Sequence, residues 1–339
     1  IEYNRDKGIG VTVYLGQQKG YASTSDFSSA AVRDTVAAAI DIARFTAADP
    51  CAGLADASLM ATAMPDLDLY HPWALPVEGA IDLARRCEAA AFAVSPQVSN
   101  SEGASVSTQE AHFISANSHG FMGGYPTSRN YIACSVIAGE GDGMQRDDWY
   151  STARSGTALA SPEAIGDYAA RRALARMAGR KIKTCQVPVL FEAPLAASLI
   201  GSFVHAVSGG ALYRKSSFLL DSLGQQVFPD HVSISERPFL PQGLASGPFD
   251  NDGVATRDRE VGANGILQGY FLSAYTARKL GMQTTGNAGG CHNLLVHGGD
   301  LDFQGLLRQM GRGLLVTELL GHGVNYVTGD YSRGAAGFW

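Results

Sequence analysis

Forty glycines, scattered through 339 residues with no period, constrain the fold more than any other feature. The lack of a repeat excludes collagen-like and solenoid architectures. Glycine placed this way suits β-structure with many tight turns and close backbone approaches. Apolar residues make up 45% and charged residues 17%, enough to bury sizeable cores. At this length one or two compact units are expected.

The pattern along the chain is mixed. Gly10 to Leu15 alternates with β-branched and aromatic residues and reads as a strand; a turn at Gly16–Gly20 returns it as a hairpin through Tyr21–Thr24. Ser28 or Ser29 can cap a helix carried by Val32, Val36, Ala39, Ile40 and Ala43 and ended by Asp49-Pro50. A second helix is expected from Val77 to Val94, between Pro76 and Pro96, and then a β-rich stretch from Ala104 to Ala138. Ser161-Pro162-Glu163 supplies a cap, a first-turn proline and an acid, and predicts a helix reaching toward Gly179. Polar residues at Lys181–Thr184 precede a short apolar strand at Val187–Phe191, which places a domain boundary near residue 185.

Beyond it, Leu195 to Tyr213 reads as one helix, interrupted late by Gly209-Gly210. Turn signals crowd the stretch from Pro229 to Phe271, and Asn264-Gly265 before Ile266-Leu267 marks a hairpin. A short helix through Phe303, Leu306, Leu307 and Met310, closed by Gly311, precedes strands at Leu314–Leu320 and Val324–Thr328. The expected fold is α+β: an N-terminal α+β unit over 1–184, then a β-rich, barrel-like unit with one or two helices over 185–339. The chain opens at Ile1 just before a strand pattern and stops at Phe338-Trp339 without a polar tail, as an internal piece of a longer protein would.

Charge and cysteine content narrow the function. With 26 Lys and Arg against 32 acids, a net charge of -6 and a pI near 5.7, the chain is a poor match for phosphate backbones. The densest basic run, Arg171 to Lys183, reads as a solvated helix face. Five cysteines, odd in number and without a C-x-x-C pair, suggest reduced thiols rather than a disulfide framework. No apolar run is long enough to span a membrane.

The histidines are the candidates for metal chemistry. His292 and His297, with Cys291 beside the first, stand five residues apart. That is roughly 140° around a helix and opposite faces of a strand, so the spacing favours loop histidines over a ligand pair. His205 lies on an apolar helix with no acid after it, where a hydrogen-bonded core or interface residue is the plain reading. No G-x-S-x-G elbow, P-loop or dinucleotide fingerprint occurs. Residue spacing alone identifies no catalytic group.

Six segments nonetheless resemble one family: DKGIGVTVYLGQQKG (Asp6–Gly20), DIARFTAADPCAGLAD (Asp41–Asp56), NSHGFMGGY (Asn117–Tyr125), GGALYRKSSFLLDSLGQQ (Gly209–Gln226), ARKLGMQTTGNAGG (Ala277–Gly290) and GDYSRGAAGFW (Gly329–Trp339). Together they identify the chain as a member of the TldD/PmbA family, once described as modulators of DNA gyrase, on its PmbA (TldE) branch. The resemblance implies a cytoplasmic peptidase of two related subunits that removes leader peptides and degrades small or unfolded peptides. In it the TldD subunit holds zinc through H-E-x-x-x-H on a helix and a cysteine. The corresponding helix here carries His205 but no His-Glu pair, and at His292 and His297 an asparagine, Asn293, stands where the glutamate is needed. No catalytic residue and no zinc ligand is therefore carried over; His205, His292 and His297 stay as weak metal candidates, and zinc is expected in the TldD partner. The implied partners are a TldD homologue, a second copy when that is absent, and peptides, with no nucleic acid and no membrane. Glycine-rich loops around Gly289, Gly290, Ser332, Gly334, Ala335 and Ala336 are the expected peptide-binding positions, where an extended peptide could pair with a strand edge. An active zinc peptidase in its own right and a direct gyrase regulator remain as alternatives.

Overall fold

The computed structural model describes all of residues 1–339. Strands β1 (Ile9–Leu15) and β2 (Gln18–Thr24) form the expected hairpin, and α1 (Ser29–Phe45) packs on it with Ser28 as its cap, Oγ accepting from the Ala31 N–H. Contact here is backbone to backbone: a Cβ on Gly20 would lie 1.9 Å from the Ala39 carbonyl oxygen, so only glycine fits.

The next layer holds α2 (Val77–Val94), β3 (Val98–Ala116), β4 (Met122–Ala138), β5 (Gln145–Ala153) and α3 (Pro162–Ala175). The strands make an antiparallel sheet in the order β3-β4-β5, and both helices cover one face. Every second residue of β4 from Ser128 to Ala138 is buried, the period-two pattern of a strand with one face inward. Ile132, Cys134 and Val136 meet Cys87 and Ala91 of α2 and Ile165, Ala169 and Ala173 of α3. The helices touch closely because Gly166 admits the Cys87 carbonyl, 1.9 Å from where a Cβ would stand.

The rest of the chain adds β6 (Val189–Phe191), α4 (Ala193–Ala206), α5 (Gly209–Tyr213), β7 (Ser233–Glu236), β8 (Arg259–Ala263), β9 (Ile266–Leu267) and α6 (Ala274–Lys279). It closes with β10 (Leu294–His297), α7 (Phe303–Met310), β11 (Leu314–Leu320), β12 (Val324–Asn325), β13 (Asp330–Tyr331) and β14 (Gly334–Phe338). Its main sheets run β10-β7-β8-β9 and β14-β11-β6, the latter with β6 parallel to β11. The fold class is α+β, as expected, with these strands in open sheets rather than a closed barrel.

Three local readings are corrected. The helix expected over 195–213 is two helices, because the Ser208 Oγ accepts from the Ala211 N–H and starts a new one at Gly209. Strand β5 went unforeseen: its sequence QRDDWYSTA is too polar to read as a strand, and pairing with β4 overrides that. The expected strand at Val324–Thr328 shrinks to Val324–Asn325, because the Asn325 Oδ1 accepts from the N–H groups of Val327 and Thr328 and turns the chain.

The two halves are joined. A core cluster between them sets Ala55, Met60, Ala61 and Phe121 against Phe249, Val254 and Ala274. Arg154, buried at the end of β5, donates to the carbonyls of Gly243 and Leu244 at 3.0 and 2.9 Å. Asp49 accepts from Lys279 Nζ at 2.9 Å and Tyr275 Oη at 2.7 Å, and Lys279 is the largest influence holding its carboxyl down at about 2.

Candidate functional site

Strand β7 ends in Ser-Ile-Ser-Glu, and the pleat puts Ile234 and Glu236 on one buried face. A carboxylate there must find donors, and Glu236 finds four. Arg259 Nε reaches Oε2 at 2.6 Å, while Asn287 Nδ2 and the His292 N–H reach Oε1 at 2.7 Å each. His292 Nδ1 lies 3.1 Å from Oε1; since a carboxylate only accepts, this nitrogen carries the proton. Burial alone would raise the Glu236 carboxyl, but the His292 hydrogen bonds and the Arg259 charge outweigh it and bring it to about 2.

This cluster anchors the glycine-rich loop Gly286–Gly290 from beneath. Asn287 also takes Arg259 Nη2 on its Oδ1 at 3.1 Å and donates to the Gly290 carbonyl at 3.1 Å. A second buried acid, Asp250, receives the N–H groups of Asp252 and Val254 on Oδ1 and that of Ala288 on Oδ2, all at 2.9–3.0 Å. Burial first, and then the Asp252 charge, raise its carboxyl to about 6 despite those donors. Neither acid stands in a recognisable motif; for Glu236 the available signal was its place two residues after Ile234, on the same strand face.

The predicted positions separate in space. At Gly289 a side chain would collide with Asn251 Nδ2 at 2.5 Å, whereas Gly290, at φ 126°, faces open space. These two precede β10, an edge of the four-stranded sheet. Gly334, Ala335 and Ala336 belong to β14, an edge of the three-stranded sheet, and the Ser332 N–H donates to the Gly323 carbonyl at 2.7 Å. The candidate positions thus lie at the margins of two sheets.

The three histidines do not converge. His205 is exposed, its ring 4.1 Å from that of Tyr326; His292 is held on Glu236; His297 Nε2 lies 2.8 Å from Ser235 Oγ. No group of three or more His, Cys, Asp or Glu side chains is placed to hold a metal ion, so the residues present do not fit the zinc that the resemblance brings to mind. Beside His292, the Cys291 thiol is pushed up by burial and by the Glu236 charge, which keeps it protonated and a poor nucleophile. Chemically, the arrangement is a loop fixed on a polar network, offering backbone groups rather than a reacting side chain.

Comparison with known proteins places this geometry. Family models for PmbA/TldA metallopeptidases match residues 1–43 (domain 1), 70–177 (central domain) and 184–339 (C-terminal domain). The chain is 48% identical to Metalloprotease PmbA of Escherichia coli O157:H7, over 100% of this chain and 75% of that protein. It is 49% identical to the Metalloprotease PmbA homolog of Haemophilus influenzae, again over 100% and 75%. Among solved structures, a proposed modulator of DNA gyrase from Bacteroides thetaiotaomicron superposes with a TM-score of 0.91 at 27% identity, covering 98% of this chain and 76% of that one. TldE from Thermococcus kodakarensis shares the fold, with a TM-score of 0.71 at 19% identity over 93% of this chain and 78% of that one.

Proposed function

The chain belongs to the PmbA/TldD metallopeptidase family, and from that premise we propose that it is the subunit without zinc, working with a TldD-type relative that carries the metal. In this reading it processes or degrades small and unfolded peptides only as part of the pair, in the cytoplasm, and its own surface shapes the tunnel by which substrate reaches the partner's metal. The observation that carries the reading is the dispersal of His205, His292 and His297, each engaged with a different neighbour. No helix is long and apolar enough to cross a membrane.

Peptide would be held by main-chain pairing, which needs little sequence specificity. Strand β14 offers an unpaired edge, and the loop at Gly290 offers backbone with no side chain in front of it. Glu236 and Asp250 keep that loop in one shape, so that ordering it costs nothing when peptide arrives.

The test is reconstitution. Mixed with a TldD-type subunit, the full-length protein is expected to give peptidase activity that neither shows alone. Ala335→Leu combined with Ala336→Leu, which crowds the β14 edge, is expected to lower that activity while the two subunits still co-purify. Full activity in the double variant would remove the β14 edge from the account. Peptidase activity of this protein on its own, abolished by a zinc chelator, would remove the partner role.

A further inference from the structure

Strand β4 outruns one of its neighbours, which leaves part of one edge bare. Its ladder with β3 runs from Met122 to Ala138, whereas its ladder with β5 starts only at Asn130. Backbone groups of a strand point alternately to its two sides. The Ser128 N–H turns away from β3 to the Leu69 carbonyl at 2.9 Å, so every second residue before it faces the same way. The N–H and C=O of Gly124 and the C=O of Pro126 therefore point to a side where no strand lies. Gly124 is exposed, and with no side chain its accessible surface is main chain. Proline at 126 fits this reading, because a sheet tolerates proline where no neighbour needs its N–H.

On this side lies a cavity of about 400 Å³, between Gly124–Pro126 and the irregular segment 64–70, with Pro248 also in its wall. The segment meets β4 at the Leu69–Ser128 bond and forms no ladder with it. Met64, Leu69 and Tyr125 supply apolar surface, and the charged residues of the wall are both acids, Asp66 and Asp68. Asp68 is engaged, by His71 Nε2 at 3.0 Å and Gln242 Nε2 at 2.7 Å, whereas no cation pairs with Asp66. Arg154, at the end of β5, is buried on the carbonyls of Ser128, Gly243 and Leu244 and is not part of the wall.

We propose that this slot binds an extended peptide segment, which adds as a strand to the bare edge of β4. Its main chain pairs with Gly124 and Pro126, and its apolar side chains enter among Met64, Leu69 and Tyr125. The acidic wall favours basic over acidic residues in the same segment. A bare strand edge offers donors and acceptors at the spacing of another main chain, which a compact ligand or an ion does not match. The volume lies within the range of ligand pockets, about 300–1,000 Å³. The slot is separate from the β14 edge and the Gly290 loop, and the inference rests on the proposed peptide-handling role for the class of its occupant.

Titration calorimetry and hydrogen exchange on the full-length protein test it with the peptide acetyl-Lys-Leu-Ala-Leu-Lys amide. Two further probes are N-methylated, one at the leucines and one at the lysines and alanine, so that each lacks the donors of one edge. The parent peptide is expected to bind and to slow exchange of the Gly124 amide by about tenfold or more. At least one N-methylated probe is expected to bind about tenfold weaker, and a version with glutamate for lysine about threefold weaker. Met64→Arg, at an exposed side chain of the wall, is expected to weaken the parent peptide about tenfold with circular dichroism unchanged. The N-methylated probes leave the protein unaltered, so they decide the matter even where the variant fails to fold. No binding of the parent peptide, slowed exchange at 334–338 with none at Gly124, or full affinity of both N-methylated probes would overturn the slot. Full affinity of the glutamate version or of the folded Met64→Arg variant would overturn it as well. The assays contain no second subunit and no cleavage step, so failure here leaves the partner role standing, and failure of reconstitution leaves this slot standing.

Discussion

The molecule has two interiors of opposite character. Between α2, α3 and the sheet β3-β4-β5, the core is almost wholly apolar and built from small residues, with Cys87, Ala91, Ala169 and Ala173 fully buried. Around β7 and β8, an apolar cluster of comparable size adjoins a buried polar knot of Glu236, Arg259, Asn287 and His292. The first interior holds a sheet in place; the second holds a loop in place. Apolar packing tolerates small shifts, whereas a satisfied polar network fixes one arrangement and fails sharply when a partner is lost.

The sharpest break of this contrast is Arg259→Ala. It strips the charge partner from a carboxylate only 1% exposed and is expected to cost about 3–5 kcal/mol in urea unfolding. Hydrogen exchange should also quicken at the 286–290 amides while those of β4 keep their relative order of protection. In the apolar interior, Ile132→Ala is expected to cost about 2–4 kcal/mol from lost burial and the cavity left behind, with the 286–290 loop unaffected. If Arg259→Ala proved the milder of the two, the polar knot would not be what holds the loop.

Proton linkage sharpens the contrast, because the two acids beneath the loop act in opposite directions. Glu236 is depressed to about 2, so its stabilisation is present above its unfolded pKa and is lost as pH falls toward 2. Asp250 is raised to about 6, so its favourable contribution is full below its unfolded value of 3.8 and is lost as pH rises through 6. Between pH 4 and 6 the Asp250 contribution should fall by on the order of 2–3 kcal/mol, and Asp250→Asn should flatten that part of the stability profile. Smallest of all, Leu320→Ala, at a side chain 52% exposed at the end of β11, is expected to change stability by less than about 1 kcal/mol.

What could be read from the sequence follows the same division. Helix α2 occupies the residues its flanking prolines marked, Ser161-Pro162 starts α3, and Asn264-Gly265 turns β8 into β9 with both residues at positive φ. Each of these signals is local or periodic. The polar knot joins residues up to 56 apart, and Arg176 meets Glu318 across 142, so no window of sequence contains them. Residue types suggested metal chemistry at His292; only the fold reveals that its partner is Glu236. The interruption expected at Gly209-Gly210 falls just before it, at Ser208, because a serine cap inside an apolar run looks like an ordinary helical position.

The central claim, that this chain has no zinc site and acts through a zinc-bearing relative, is tested most directly by zinc stoichiometry. The full-length protein would be purified alone and without a metal-binding tag. The account predicts a zinc content near zero, unchanged by His205→Ala or His292→Ala. Close to one zinc per chain, lost in either variant, would contradict it and make this protein a metallopeptidase by itself.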